Sequence, residues 1–232
     1  MKPKLISFKL CPFVQRAVIV LEHKMIEHDI EYIDLANPPA WFVALSPLKK
    51  VPVLLVGDNV IFESTVINEY LDEAYPNQLH PRDMIVRAKN RSWIEFGNEC
   101  MWHVFHLSVK ETQEEFNETR DELLNKFDQI EKVLIDTPFF NGDAFSLVDA
   151  SYAPFFRYLE YLNELRPGMF SVSRHPKINA WKNNLLKLDT VKKSCVPEFK
   201  KLYHEQLRKR QGSISTFLDK SNRGQDVRKS TY

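Results

Sequence analysis

Strand signals in this chain of 232 residues are confined to the part before Pro81, and everything after it is patterned as helix. Before Pro81, short apolar runs alternate with segments of helical spacing, in the order strand, helix, strand, helix, hairpin, helix. Such an order predicts a small α/β sheet with helices packed against it, followed by an all-α domain. We therefore predict an α/β domain over 1–78, an all-helical domain over 82–210, and a disordered tail over 211–232.

The predicted elements follow from local patterns. The first strand, at residues 4–8, runs into Cys11-Pro12, where a helix begins, and Pro52 opens the first strand of a hairpin. Ser146 and Asp149 form a capping box, which we interpret as structural. The other predictions are a strand at 31–35, a hairpin over 51–62, a helix opening at 63, and helices at 82–110, 114–135, 146–165, from 176, and at 190–208.

Composition excludes several classes of protein. The chain has 32 basic and 31 acidic residues, so nothing points to a nucleic-acid binder. A charge falls within every stretch long enough to cross a membrane, and the first residues have no secretory apolar core. Three cysteines are too few, and odd in number, for a disulfide framework. These observations predict a reducing compartment and a cytoplasmic location.

Cys11 has the chemistry-bearing position. A thiol becomes a nucleophile only as a thiolate, and a free cysteine ionises near about pH 8.5. A helix N-terminus offers unpaired amide hydrogens and a positive dipole end, and Pro12 suits the first helical turn. Arg16 adds a positive charge one turn later. We therefore predict a pKa for Cys11 below that of a free thiol.

The alternative for Cys11 is a small, buried, apolar packing residue. Its place at a strand–helix junction favours function instead. Position 14 is Val, so an intramolecular dithiol cycle at this site is excluded. A monothiol cycle needs an external thiol, and glutathione is the obvious one.

A set of ordered motifs makes the chain resemble cytosolic glutathione transferases, and most of all the omega and dehydroascorbate-reductase type. The likeness spans roughly residues 4 to 205. It implies a thioredoxin-like first domain with a mixed four-stranded sheet, an all-helical second domain, and a homodimer. The motifs that carry it are 11–16 (CPFVQR), 50–54 (KVPVL), 62–64 (FES), 70–76 (YLDEAYP) and 145–150 (FSLVDA).

The resemblance assigns a glutathione site to matching positions. Pro52 resembles the family's cis-proline, and the backbone of Val51 would meet the cysteine of glutathione. Phe13, within the Cys-Pro-Phe motif, belongs to the same predicted site. Lys50, with Lys49, would meet the glycine carboxylate, although solvated surface lysines are an equal alternative.

Glu63 and Ser64 resemble the family's site for the γ-glutamyl end. Ser64 opens a helix and can hold a carboxylate, while Glu63 can pair with an α-ammonium. The alternative for this pair is a simple helix cap. The chain also departs from the omega pattern, because Pro38 stands where those proteins often carry a glutathione-contacting lysine.

The first long helical stretch should supply a wall for the second substrate, although core packing is the favoured interpretation for any single aromatic. His103 and His106 have no third ligand nearby, so no metal site is predicted. Cys100 and Cys195, both in helical stretches, are predicted to be inert. The wall candidates are Trp93, Phe96, Trp102, His103, Phe105 and His106.

The leading functional hypothesis is a glutathione-dependent thiol transferase or reductase. Cys11 would attack a mixed disulfide, or form one during dehydroascorbate-like reduction, and a second glutathione would release the product. The second substrate would be a small hydrophobic molecule or a disulfide. Two alternatives remain: a non-catalytic, transcription-associated binding module of the same fold, and a glutaredoxin-like domain fused to a helical bundle.

Overall fold

The computed structural model describes residues 2–218. Its first domain holds a four-stranded sheet in the order β2-β1-β3-β4. Strand β1 runs parallel to β2 and antiparallel to β3, and β3 and β4 form the predicted hairpin. The predicted mixed sheet and fold class are therefore confirmed. The strands are β1 Lys4–Ser7, β2 Asp29–Tyr32, β3 Val53–Val56 and β4 Asn59–Phe62.

Three helices accompany the sheet: α1 Pro12–His23, α2 Ala40–Leu45 and α3 Ser64–Ala74. Met25, the last member of the apolar stripe that the sequence predicts for this helix, lies beyond the end of α1 and is 86% exposed. The other members, Val14, Ala17, Val18 and Leu21, are buried, and so are the polar residues between them, over the whole range 14–21. This happens because α1 contacts α3 in its own domain and a long helix of the second domain on another side.

The second domain, within the described residues, is helical. Its elements are α4 Met84–Leu107, α5 Gln113–Val133, α6 Leu147–Leu165, α7 Pro176–Lys187, α8 Asp189–Lys193, α9 Phe199–Arg210 and the short 3-10 turn Ser213–Ser215. Helix α6 is its centre, because it packs on α1, α4 and α7. None of the helices within residues 2–218 has the length and apolar character that spanning a membrane requires.

One helix predicted over 190–208 is in fact two, α8 and α9. The connection between them contains Pro197, which lacks the amide hydrogen that a helix interior needs. The break matters for the site, because α9, unlike α8, contributes residues to the cavity beside Cys11.

Two buried arginines join the domains. The Nε of Arg16 on α1 donates to the carbonyl of Ser151 on α6 at 2.9 Å, and Arg16 also donates to Asn98 on α4. From α6, Arg157 donates to the side chain of Gln15 on α1. Arg16 is only 1% exposed, and its hydrogen bonds are to the second domain, whereas it acts on the Cys11 thiol only through its charge.

The start of the predicted disordered tail is wrong for residues 211–218. Ile214 is 0% and Leu218 is 1% exposed, so this segment packs against the helical domain. The amide of Ser213 donates to the carbonyl of Lys110 at 2.7 Å, and this bond attaches the segment to the loop that follows α4. The apolar residues of this segment, Ile214, Phe217 and Leu218, pack on the hydrophobic core. The rest of the predicted tail, 219–232, lies outside the described residues.

Candidate active site

Cys11 occupies the N-cap position of α1, with Pro12 in the first turn, as its sequence position predicts. Its amide donates to the carbonyl of Phe8 at 2.9 Å, which closes the turn that joins β1 to α1. The side chain is half-buried. The turn therefore places Cys11 between the end of β1 and the beginning of α1.

The pKa of the Cys11 thiol is higher than the sequence predicts. Burial raises its pKa to about 11, against the opposing effects of the Val14 and Phe13 amides and of the Arg16 charge. Its Sγ also donates to the carbonyl of Val51 at 3.7 Å, and a hydrogen bond given by the thiol favours the protonated form. The predicted lowering of the pKa of Cys11 is therefore wrong, because the desolvation of the thiol outweighs the effect of the helix N-terminus.

A cavity of about 460 Å³ opens beside Cys11, between the two domains. That volume lies within the range of roughly 300–1,000 Å³ typical of small-molecule sites. All the residues that were predicted from the sequence to act in catalysis or glutathione binding line this cavity, although their roles stay predictions. These residues are Cys11, Phe13, Lys50, Val51, Glu63 and Ser64.

The loop that carries Lys50 and Val51 is held by Ser46. The Ser46 hydroxyl donates to the carbonyl of Lys50 at 3.0 Å and accepts from the Lys50 amide at 3.1 Å. The Val51–Pro52 peptide bond is cis, as the resemblance predicted. The loop therefore presents the Val51 backbone at a defined place beside the sulfur.

Glu63 lies just before α3 in the left-handed backbone region, with φ of 69°, which non-glycine residues rarely adopt. Its side chain is exposed and makes no capping hydrogen bond, so the helix-cap alternative for Glu63 has no support in the geometry. Ser64 is buried at the first position of α3. Such backbone strain, of order 1–3 kcal/mol, gathers at binding and active sites.

Helix α4 lines part of the cavity on the side of the second domain. Trp102 and Phe105 line it, with their rings in a T-shaped pair 5.8 Å apart, and Trp102 lies 6.3 Å from Phe13. Trp93 and Phe96 instead pack on each other, at 5.2 Å, away from the cavity lining. Only part of the predicted wall is therefore used.

The two histidines of the predicted wall are also accounted for. His103 contacts the carbonyl of Glu99 and the carboxylate of Glu122, and His106 lies against the ring of Trp102. Within residues 2–218, no group of three or more His, Cys, Asp or Glu side chains is arranged to hold a metal ion.

Four lining residues from α6 and α9 were not predicted: Tyr158, Tyr203, Gln206 and Arg210. The hydroxyl of Tyr158 donates to the carbonyl of Leu10, next to Cys11. The other three fall at i, i+3 and i+7 on one face of α9, a spacing visible in the sequence. The spacing alone could not assign these residues to the site, because the predicted last helix ended before Arg210 and the sequence does not show which face of that helix meets the cavity.

Comparisons with known proteins agree with this geometry. The family model of the glutathione S-transferase N-terminal domain matches residues 10–74, and that of the C-terminal domain matches 113–181. Glutathione S-transferase omega-1 of Sus scrofa is 33% identical over 185 residues, which cover 78% of this chain and 75% of that protein.

Solved structures share the fold. Glutathione transferase Omega 3C from Trametes versicolor is 22% identical, with a TM-score of 0.76 over 84% of this chain and 89% of that one. Rice GST1, solved in complex with glutathione, is 26% identical, with a TM-score of 0.79 over 89% of this chain and 94% of that one. The chain therefore belongs to the glutathione S-transferase family, whose members are enzymes that use glutathione as a cosubstrate.

Proposed function

We propose that the protein is a glutathione-dependent thiol transferase in which Cys11 is the nucleophile. The observation that carries this proposal is the position of the Cys11 sulfur, 3.7 Å from the Val51 carbonyl and open to the cavity. A purely structural cysteine has no need of that opening. Cys100, which is fully buried and lines no part of the cavity, is the contrasting case.

The charges around the cavity suit the three parts of glutathione. Ser64 begins α3, where amide hydrogens and the helix dipole favour a carboxylate, and the exposed Glu63 suits the adjacent ammonium. Lys50, exposed on the opposite loop, suits the glycine carboxylate. The backbone of Val51, between them, is left for the central cysteine, which brings its sulfur to Cys11.

The proposed cycle balances as two thiol–disulfide exchanges. The Cys11 thiolate attacks the glutathionyl sulfur of a mixed disulfide, an S–S bond forms to Cys11, and the other thiol leaves and takes up a proton. A glutathione thiolate then attacks the glutathionyl sulfur bound to Cys11, the bond to Cys11 breaks, and the Cys11 thiolate and oxidised glutathione are released. Dehydroascorbate-like reduction consumes two electrons and two protons, which two glutathione molecules would supply as they become one molecule of oxidised glutathione.

Binding of glutathione would also ease the ionisation of Cys11. The Val51 carbonyl accepts from the thiol in the free protein. A glutathione amide that donates to this carbonyl would displace the thiol and leave it facing the Phe13 and Val14 amides, which lower its pKa. The thiolate would then form where its partner sulfur is already bound.

Mass spectrometry after incubation with oxidised glutathione tests this proposal. We expect one glutathionyl adduct on Cys11, suppressed by excess S-methylglutathione, and none on Cys100 or Cys195. An adduct on Cys195 alone would contradict the assignment of the nucleophile. Glutathione binding with neither adduct nor turnover would favour the non-catalytic binding module.

We further propose a cytoplasmic homodimer. The three cysteines are free thiols, which suits a reducing compartment. The edge strand β4 and its neighbour α3 expose Val60 and Val66, and the first turn of α4 exposes Met84 at 74%. A second copy that covers these residues would remove apolar surface from water.

Sedimentation velocity tests the dimer. Val66→Glu is expected to shift the protein toward monomer, because it places a charge in the proposed interface. Val172→Glu, at a residue 59% exposed in the loop before α7, is the matched control and should leave the mass unchanged. A wild-type protein that is monomeric at all concentrations would refute the dimer.

A further inference from the structure

We propose that Arg210 binds an anionic group, in the simplest case a carboxylate, on the second substrate. The proposal rests on the proposed thiol transfer and names the class of molecule that meets Cys11 from the helical domain: an apolar or aromatic body that carries an oxyanion. It refines the sequence prediction of a small hydrophobic or disulfide substrate.

Arg210 reaches the cavity from the second domain. With Tyr203 and Gln206 it forms the face of α9 that lines the cavity. Tyr158 lines the same cavity, and its hydroxyl donates to the carbonyl of Leu10, the residue before Cys11. Arg210 and the nucleophile Cys11 therefore face one cavity, from the second and the first domain respectively.

The charge of Arg210 has no anionic partner among residues 2–218. Its Nη1 donates to the hydroxyl of Ser108, a neutral group, and the face of its guanidinium lies over the Phe105 ring at 4.8 Å. A guanidinium has five N–H donors, so most of them remain available. Burial lowers the pKa of Arg210, opposed only by two tyrosines, Tyr203 and Tyr158.

Arg208 and Arg210 differ in their exposure to water. Arg208 lies in the same last turn of α9 but is exposed, so water solvates its charge. Arg210 is half-buried against aromatic rings, where a charge without a counterion is unfavourable. An oxyanion in the cavity would supply the missing partner, and Arg pairs with carboxylates in a two-pronged geometry.

The segment after α9 holds Arg210 in this position. Gln211 adopts the left-handed conformation that ends the helix. A Cβ at Gly212 would lie 2.8 Å from the carbonyl oxygen of Ser108, so only glycine permits this close approach. The bond from Ser213 to Lys110 and the burial of Ile214 complete the attachment. The guanidinium is therefore positioned before any ligand arrives, which reduces the entropic cost of binding.

Glutathione itself is not the expected anion. Its two carboxylates are assigned, in the proposed function, to Ser64 and to Lys50, both on the first domain. Arg210 belongs to the last helix of the second domain. The positive charge without an anionic partner therefore lies on the second domain, which in this proposal binds the second substrate.

Isothermal titration in the presence of saturating glutathione tests the proposal without any turnover. The probes are naphthalene-2-carboxylate and its neutral isostere, naphthalene-2-carboxamide. The wild-type protein is expected to bind the carboxylate at least about tenfold more tightly, as one charge-assisted pair allows. Equal affinity for the two probes would overturn the proposal, and this comparison needs no variant.

Variants then locate the preference. Arg210→Gln should abolish the preference for the carboxylate, Arg210→Lys should retain part of it, and Arg208→Gln, the matched control, should retain all of it. Thermal unfolding of each variant shows whether it is folded, since Arg210 also contacts Ser108 and Phe105. A preference that survives Arg210→Gln in a folded protein would refute the role of Arg210.

A kinetic comparison separates this proposal from the proposed function. With glutathione as reductant, kcat/KM is measured for 3,3′-dithiodipropionate and for the neutral 2-hydroxyethyl disulfide. Arg210→Gln should lose at least about tenfold more on the carboxylated disulfide than on the neutral one. Equal losses would count against Arg210, whereas selective carboxylate binding with no turnover of either disulfide would support Arg210 and refute thiol transfer.

Discussion

Replacing Cys11 with serine is expected to lower glutathione-dependent disulfide reduction by at least about a hundredfold, the order that loss of a covalent nucleophile costs. A serine hydroxyl in the same half-buried position cannot form the mixed disulfide that links the two exchanges. The measurement is steady-state reduction of a glutathionylated peptide with glutathione in excess. Glutathione affinity, measured separately, should change little, because the cradle formed by Val51 and Ser64 remains.

The matched control is Cys195→Ser. Cys195 is also half-buried, but it follows α8 and lines no part of the cavity. We expect its activity to stay within about twofold of wild type, as for a surface substitution away from a functional feature. If Cys195→Ser lost the activity and Cys11→Ser kept it, the nucleophile would be misassigned.

The pH dependence of the same reaction follows from the protonation of Cys11. The attacking species is the thiolate, so activity rises with pH as the thiol ionises. Because the pKa of the free protein's thiol is raised to about 11, kcat/KM for the mixed disulfide should climb throughout the range from pH 7 to 10 without a plateau. Single-turnover rates at saturating substrate should level off at lower pH, since glutathione would displace the thiol from Val51. A plateau in kcat/KM below about pH 8.5 would mean that the free protein holds a thiolate.

Asp149→Ala is expected to destabilise the helical domain strongly, by about 3–5 kcal/mol. The carboxylate is 0% exposed and accepts from the amides of Phe140 and Ser146 at 2.9 and 2.8 Å. It also accepts from the Ser146 hydroxyl and, at 2.6 Å, from the indole Nε1 of Trp181 on α7. Burial raises the pKa of Asp149, and the hydrogen bonds from these donors oppose that effect because they stabilise the charged carboxylate. Alanine would leave buried donors without a partner.

Urea unfolding followed by tryptophan fluorescence measures this loss. Asp143→Ala, which removes an exposed carboxylate in the loop before α6, is the matched control and should change stability by less than about 0.5 kcal/mol. Asp149→Asn should be intermediate, because its amide keeps one acceptor for Phe140 and Trp181 but faces Ser146 with a donor. A stable Asp149→Ala protein would show that these hydrogen bonds contribute little beyond what water supplies.

Some features of the site were predictable because they are local. Cys11 at a strand–helix junction, Pro52 at the start of a hairpin strand and Ser64 at the start of α3 are set by neighbours in the chain. Strand β2 was displaced in the prediction, to 31–35, because its first residue is Asp29, a poor strand former. That residue joins the sheet through a bond from its amide to the Pro3 carbonyl.

The amino-acid sequence by itself determined the change from α/β to all-α structure, the ends of most helices and the places of Cys11, Pro52 and Ser64 at the ends of helices and strands, since apolar spacing and turn chemistry act over a few positions. Only the tertiary structure decided the protonation of Cys11, the interdomain role of Arg16 and the place of Arg210 in the cavity. The physical reason is that desolvation and charge pairing depend on which distant residues surround a group. No pattern within a helix or strand contains that information.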